Sequence, residues 1–393
     1  MNLASKIDRL RGQAVTAQVD PSGSRRRRFQ SEPVPQLPGS AHTKELTDAL
    51  QADWEDRGLL LCNRSYRLPA DGRNAGDLSR LPEVCGLSKP DWVYIDTETT
   101  GLSGGTWNLA FMVGVARYRD GGQLELRQYV LGSFAAEQRM LQQLFDWVGP
   151  DAVLVSYNGK CFDLPLLTTR LRMHHIDIKP GSLRHLDLMY SVRRAYRDHW
   201  PDCRLQTAER RLLDIQRQDD LPGAEAPAAW QSWLRRGVTS QLARVLEHNC
   251  QDVVSLALLH RCLVPVYRGS VQTGLNHAAI GRAWREAGQP KLARRVWESA
   301  GERLDDKGSL QLAALYRHLG EWSRAEKLWL RLHARGNASA ALALSKYYEH
   351  RRRDFCKALD FASQCPPAER QMRYSRLKEK MGGSLQLPLL VYG

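Results

Sequence analysis

Trp284, Tyr316 and Tyr348 stand 32 residues apart, as do Gly288 and Gly320, Ala293 and Ala325, and Trp297 and Trp329. Coincident spacings of this kind mark a unit that cannot bury its apolar face alone and stacks on copies of itself. AWREAGQPKLARRVW and LYRHLGEWSRAEKLW are the clearest copies, and KYYEHRRRDFCKALDF is a third with one extra residue in its turn. Each predicts two helices joined at a turn, with small residues where they cross. A generic helical bundle is the competing reading, and the shared spacings weigh against it. Residues 274–393 are therefore expected to form an all-α helical-repeat domain. A chain of 393 residues is long enough for a second core ahead of it.

The texture of residues 90–268 supplies that core. DWVYID, LAFMVGVARYRD, LELRQYVLG and AVLVSYNG are β-branched or aromatic runs bounded by Gly, Pro or Asp, which predicts strands. AAEQRMLQQLFDWV places Met140, Leu141, Leu144, Phe145 and Val148 at helical spacing. A helix beginning at DLPLLTTRLRMHH and a strand LRHLDLMY follow, then helices in LQTAERRLLDI and APAAWQSWLRRG around the turn signal DDLPG. Residues 242–264 read as one long amphipathic helix. Adjacent strands followed by strands separated by helices predict an α/β domain, a mixed sheet covered by helices. Residues 1–42, with Arg25, Arg26, Arg27 and Arg28, carry almost no periodic apolar pattern and read as a disordered basic arm. Residues 43–89 read as an extension packing on the α/β domain.

Composition narrows the partners. The net charge of +14 draws polyanions without deciding a fold, so nucleic acid is a candidate ligand once a site stands beside it. No apolar run approaches the roughly 18–20 residues of a membrane-spanning helix, and the N-terminus lacks the apolar core of a secretory signal. Eight cysteines without a CxxC pair argue against a zinc ribbon or a disulfide scaffold and suit a reducing cytoplasm. Arginines at 193, 194, 197, 204, 210, 211, 235 and 236 are interleaved with Trp200, Trp230 and Trp233. A single-strand groove could use them, but the tryptophans read better as core.

The chemistry is concentrated in three places. In YIDTETTG a strand must project Asp96 and Glu98 from one face. Two ionised carboxylates that close repel unless a cation lies between them, and hard oxygen donors suit Mg²⁺ or Mn²⁺. An exposed strand end with solvated acids reads the same residues equally well. VSYNGKCFDLPLL places Asn158 at a strand end and Asp163 in the first turn of a helix, where a helix dipole favours an acid in any case. EHNCQDVVSL sets His248 and Asp252 one helical turn apart, a spacing also common in plain surface pairs. Asp187 either supports the site from outside or ends a buried run. His174 and His175 lack a paired ligand spacing and read as structural.

Asp-x-Glu on a first strand, Asn-x3-Phe-Asp at the end of a later one, and a helix carrying a base residue and then Asp resemble the DEDD 3′–5′ exonucleases of the ribonuclease H-like fold. TETTGLSGG, AFMVGVA, LLDIQRQDDLPG and HNCQDVVSL are similar to the YprB-like bacterial subgroup. The last third resembles tetratricopeptide arrays. The resemblance implies a ribonuclease H-like mixed sheet and two divalent ions, Mg²⁺ or Mn²⁺, on Asp96, Glu98, Asp163 and Asp252. It implies His248 as the group orienting or deprotonating water. Asn158, Lys160 and Thr99 are candidate substrate contacts beside it, although an Asn at a strand end more often satisfies backbone groups and a solvated loop lysine is the plainer reading of Lys160. Histidine-type members set the base five residues before the last Asp and tyrosine-type members four; this chain has a histidine at the tyrosine spacing. The expected activity is hydrolysis of single-stranded DNA or RNA, with a protein partner on the repeats. A nucleic-acid-binding scaffold that does little hydrolysis is the alternative.

Overall fold

The alternation of Trp92, Val93, Tyr94 and Ile95 decides the architecture. Successive residues of a strand face opposite ways, and all four are buried, so this strand needs cover on both sides. Trp92 and Tyr94 join one apolar core, and Val93 and Ile95 join another. A computed structural model describes residues 52–55, 58–67, 78–88, 90–101, 108–119, 122–217, 221–269 and 274–383. The basic arm 1–42 with Arg25, Arg26, Arg27 and Arg28, the LSGGTW segment 102–107, and the two aspartates of DDLPG lie outside the described residues.

Among the described residues, seven strands form one mixed sheet: β1 (Ala52–Glu55), β2 (Leu59–Arg67), β3 (Asp91–Thr99), β4 (Ala110–Tyr118), β5 (Gln123–Leu131), β6 (Ala152–Ser156) and β7 (Arg184–Asp187). Their order is β1-β2-β5-β4-β3-β6-β7. Pairings from β1 through β3 are antiparallel, and β6 and β7 continue in parallel beyond β3. The segment read as an extension thus contributes two strands to the sheet itself.

Helices cover both faces. Five are α1 (Glu137–Val148), α2 (Asp163–Met173), α3 (Leu188–Tyr196), α4 (Leu205–Ala208) and α5 (Ala226–Arg236); the longest is α6 (Thr239–Tyr267). Trp230 and Trp233 of α5 are fully buried, as core residues. LRHLDLMY is not one strand, because β7 stops at Asp187, whose carboxylate accepts from the Met189 amide and caps α3. LQTAERRLLDI is not one regular helix either. α4 runs into a π turn over Glu209–Leu213, and Asp214 closes it in the left-handed region at φ 56°.

α6 packs on β3, β4 and β5. Its Leu242, Val245 and Leu246 lie in the core of Val93 and Ile95, and its Cys250, Val253 and Leu256 in the core of Trp92 and Tyr94. The helix passes from one core to the other over the stretch that carries His248, Asn249 and Asp252.

Beyond residue 274 the described chain is all helix: α7 (His277–Glu286), α8 (Pro290–Ala300), α9 (Asp306–His318), α10 (Trp322–His333), α11 (Ala338–Tyr347), α12 (Phe355–Ala362) and α13 (Pro367–Gly383). Gly288 and Gly320 close α7 and α9 at φ 72° and 76°, where a side chain would be strained. The third copy has Arg353 in that region instead, at φ 56°. One apolar cluster runs from Trp92 and Val155 through α3 and α6 to Trp284, Trp297 and Trp329. Trp284 Nε1 donates to the Tyr267 carbonyl at 2.7 Å, tying α7 to the end of α6. No helix of the described residues is long and apolar enough to cross a membrane.

Candidate active site

Asp96 on β3 pairs with Gly114 on β4, and Gly114 pairs with Gln128 on β5. Asp96 and Gln128 therefore lie two strand spacings apart, roughly 10 Å. Asn249 of α6 bridges them. Its Nδ2 donates to Asp96 Oδ2 at 2.9 Å, and its Oδ1 accepts from Gln128 Nε2 at 2.9 Å. Gln128 also donates to the Leu246 carbonyl. Gly114 makes room for this bridge, since a Cβ there would stand 2.2 Å from Asn249 Oδ1. Neither amide was anticipated, although Gln128 is a polar residue in step with the buried Leu124 and Leu126, a visible anomaly in the sequence.

Four acids converge around this point. The Asp96 carboxyl is pushed well above the usual range, first by burial and then by the charges of Asp252, Asp163 and Glu98. Asp163 is the first residue of α2 and reaches the end of β3, where Thr97 Oγ1 donates to its Oδ1 at 2.5 Å. Burial raises its carboxyl to about 6 against the lowering effect of that bond. Burial also raises Asp252, opposed by Arg217 and His248. Mutual repulsion among desolvated carboxylates is the condition a hard divalent cation relieves, and an all-oxygen donor set suits Mg²⁺ or Mn²⁺ over a softer metal. Among the described residues, no three His, Cys, Asp or Glu side chains are closed into a metal cage.

An arginine that the sequence did not single out holds part of the set. Arg217 donates to both oxygens of the fully buried Glu209 at 2.7 Å and, through Nη2, to Asp252 Oδ1. Its Nη1 lies 3.3 Å from His248 Nδ1. A guanidinium only donates, so Nδ1 accepts, and a neutral His248 carries its proton on Nε2. That nitrogen faces Asp252 Oδ2 at 3.6 Å and Glu98 Oε1 at 3.9 Å. In this arrangement His248 presents an N–H to the acids rather than a lone pair.

The turn that delivers Asp163 is clamped from outside. Asp187 accepts from the amides of Asn158 at 2.8 Å and Lys160 at 3.2 Å, besides that of Met189. Asn158 sits in the left-handed region at φ 68°. Thr99 and Asn158 line a cavity of ≈ 360 Å³ together with Asp96, Asp163 and the exposed Phe162. Lys160 does not line it, and its Nζ lies 5.8 Å from the Tyr190 ring centre. His174 bonds to Glu137 at 2.8 Å. Arg194 of the basic cluster pairs with Glu83, while Arg193, Arg197 and Arg204 line a separate cavity beside Trp200.

Sheet order and comparison with known proteins agree on a fold class. Residues 93–264 match the RNase_H superfamily model, whose members are generally nucleases, and the chain as a whole belongs to the family of the relative it matches over most of its length. Over 304 residues it is 31% identical to the Uncharacterized protein YprB of Bacillus subtilis (strain 168), covering 74% of this chain and 73% of that protein. The predicted acids and His248 all fall within residues 93–264.

Proposed function

We propose that this protein is a divalent-metal-dependent nuclease, a 3′–5′ exonuclease on single-stranded DNA or RNA. The observation that carries the reading is the meeting of Asp96 with Glu98, Asp163 and Asp252, which come from three separate stretches of chain yet act on one carboxyl. Those four side chains would hold two Mg²⁺ or Mn²⁺ ions. The ions would supply Lewis-acid activation of water and charge stabilisation at the scissile phosphodiester.

The chain's own residues supply position. Asn249 and Gln128 fix Asp96, Thr97 fixes Asp163, and Asp187 holds the turn between β6 and α2. His248 orients water or substrate through Nε2–H in the present arrangement; work as a base at Nε2 requires Arg217 to release Nδ1. Thr99 and Asn158 contact a terminal nucleotide in the adjoining cavity, and Lys160 meets a phosphate farther along the strand. Residues 90–268 carry the reaction, and the tetratricopeptide-like repeats of 274–393 recruit a protein partner.

Incubation with end-labelled single strands and Mn²⁺ tests the reading. Stepwise shortening from the 3′ end is expected. Internal fragments would replace the exonuclease assignment by an endonuclease, and binding without product under either ion would leave the scaffold alternative.

A further inference from the structure

Arg217 has more acidic partners than its charge requires. Glu209 alone satisfies it, with two parallel bonds of 2.7 Å from Nε and Nη2, the two-pronged geometry that makes arginine–carboxylate pairs strong. The contact from Nη2 to Asp252 is additional. The arrangement is built by the backbone. The π turn ends at Asp214 in the left-handed region, the Ile215 amide bonds back to the Glu209 carbonyl, and the reversed chain brings Arg217 over Glu209. Side-chain exposures of 10% for Arg217, 0% for Glu209 and 15% for Asp252 put the exchange largely out of water, where charges act on one another most strongly.

From this geometry we infer that Arg217 is a built-in cation, anchored on Glu209, that holds Asp252 in the absence of a divalent ion and competes with the ion for it. The inference rests on reading Asp252 as an ion ligand. Glu209 gives the arrangement its economy of movement, because Arg217 can release Asp252 and keep its two-pronged anchor. The competition is reciprocal: whatever Arg217 subtracts from ion affinity, the ion subtracts from the Arg217–Asp252 contact. Arg217 thereby acts as a positioning residue, setting how readily the acid set closes.

Titration of full-length protein with Mn²⁺, followed by the loss of the free-ion electron paramagnetic resonance signal, tests this directly. Arg217→Met should bind Mn²⁺ roughly tenfold more tightly than the parent, within the usual range of coupling between two ligands. Because Arg217→Met leaves Glu209 buried and unpaired, the double variant Glu209→Gln/Arg217→Met is measured beside it; removing both charges avoids a lone buried carboxylate. A merely structural arginine would leave affinity unchanged or weaken it, and that result in either folded variant overturns the inference. If the parent binds Mn²⁺ and cleaves, with affinity unmoved by the substitution, only the competition fails. If no form binds Mn²⁺, the ion-binding reading fails with it.

Discussion

Asn249 occupies the space that a side chain on Gly114 would fill. A Cβ at 114 would meet Asn249 Oδ1 at 2.2 Å and its Cγ at 2.9 Å, closer than real contacts allow. The absence of one methyl group on β4 thus lets a helix side chain reach the sheet and bond Asp96.

Gly114→Ala should therefore displace Asn249 and cost about 1–3 kcal/mol, as overfilled cores do. Asn249→Ala should cost about 1–3 kcal/mol by leaving Gln128 and Asp96 without their buried partner. Both should reduce cleavage, by roughly 10–100-fold if Asp96 behaves as a ligand that has lost its outer support. Denaturant unfolding and turnover measured together check the pair. Unchanged turnover in Asn249→Ala would show that the bridge serves the fold alone.

Asp187 offers a second outer support. Its carboxylate receives three backbone amides, two of them in the Asn158–Lys160 turn. Asp187→Ala should leave those donors unmet, destabilising the protein by about 1–3 kcal/mol or more. Amide hydrogen exchange should then accelerate in residues 157–161 before the rest of the sheet. Uniform exchange across the domain would argue against a local clamp.

The helical region carries its own acid-sensitive contact. Glu349 is almost fully buried and bonds Arg373, Arg376 and Lys380 of α13. Burial alone would raise its carboxyl, but the bonds from Lys380 and Arg376 and the surrounding positive charge hold it at about 2 against an ordinary 4.5. A depressed folded value stabilises above the unfolded pKa, so this contribution is complete above about pH 4.5 and lost as pH falls toward 2. Its upper size is about 3 kcal/mol. Glu349→Gln should lower the melting temperature at pH 7 and flatten the fall of melting temperature between pH 5 and 2. An unchanged acid slope would show that the cluster contributes nothing to stability.

The apolar cluster that joins Tyr267 to Trp284 and Trp297 predicts the behaviour of a shortened chain. Ending the protein near residue 270 would uncover Tyr267 and remove its bond from Trp284. Each large side chain uncovered costs about 1.5–3 kcal/mol. The fragment should melt well below the full-length protein; equal melting temperatures would show two independently stable units.

The strands and the acids were legible because both follow local rules. Apolar runs bounded by turn residues gave β3, β4, β5 and β6, and period-two alternation put Asp96 and Glu98 on one face. The shared spacing of Gly288 and Gly320 marked two turns that do require a positive φ. Asn249, Gln128 and Arg217 were not read because their roles are set by neighbours far along the chain. Arg217 meets Asp252 only because a π turn and a left-handed Asp214 reverse the backbone, and no composition rule announces that turn. The end of β7 was misplaced for a related reason: Asp187 fits a strand by its neighbours, but its carboxylate caps the next helix.

On the proposed function, Asp96, Glu98, Asp163 and Asp252 form one ion-dependent hydrolytic site. The most direct test is the rate of Mn²⁺-dependent cleavage of a labelled single strand by the parent, Asp96→Asn and Asp252→Asn, each verified as folded. Both substitutions should reduce the rate by more than the roughly 100-fold that the loss of an outer partner causes, with metal-free protein inactive. Cleavage at the parental rate by folded Asp96→Asn would show that these acids do not carry the hydrolysis.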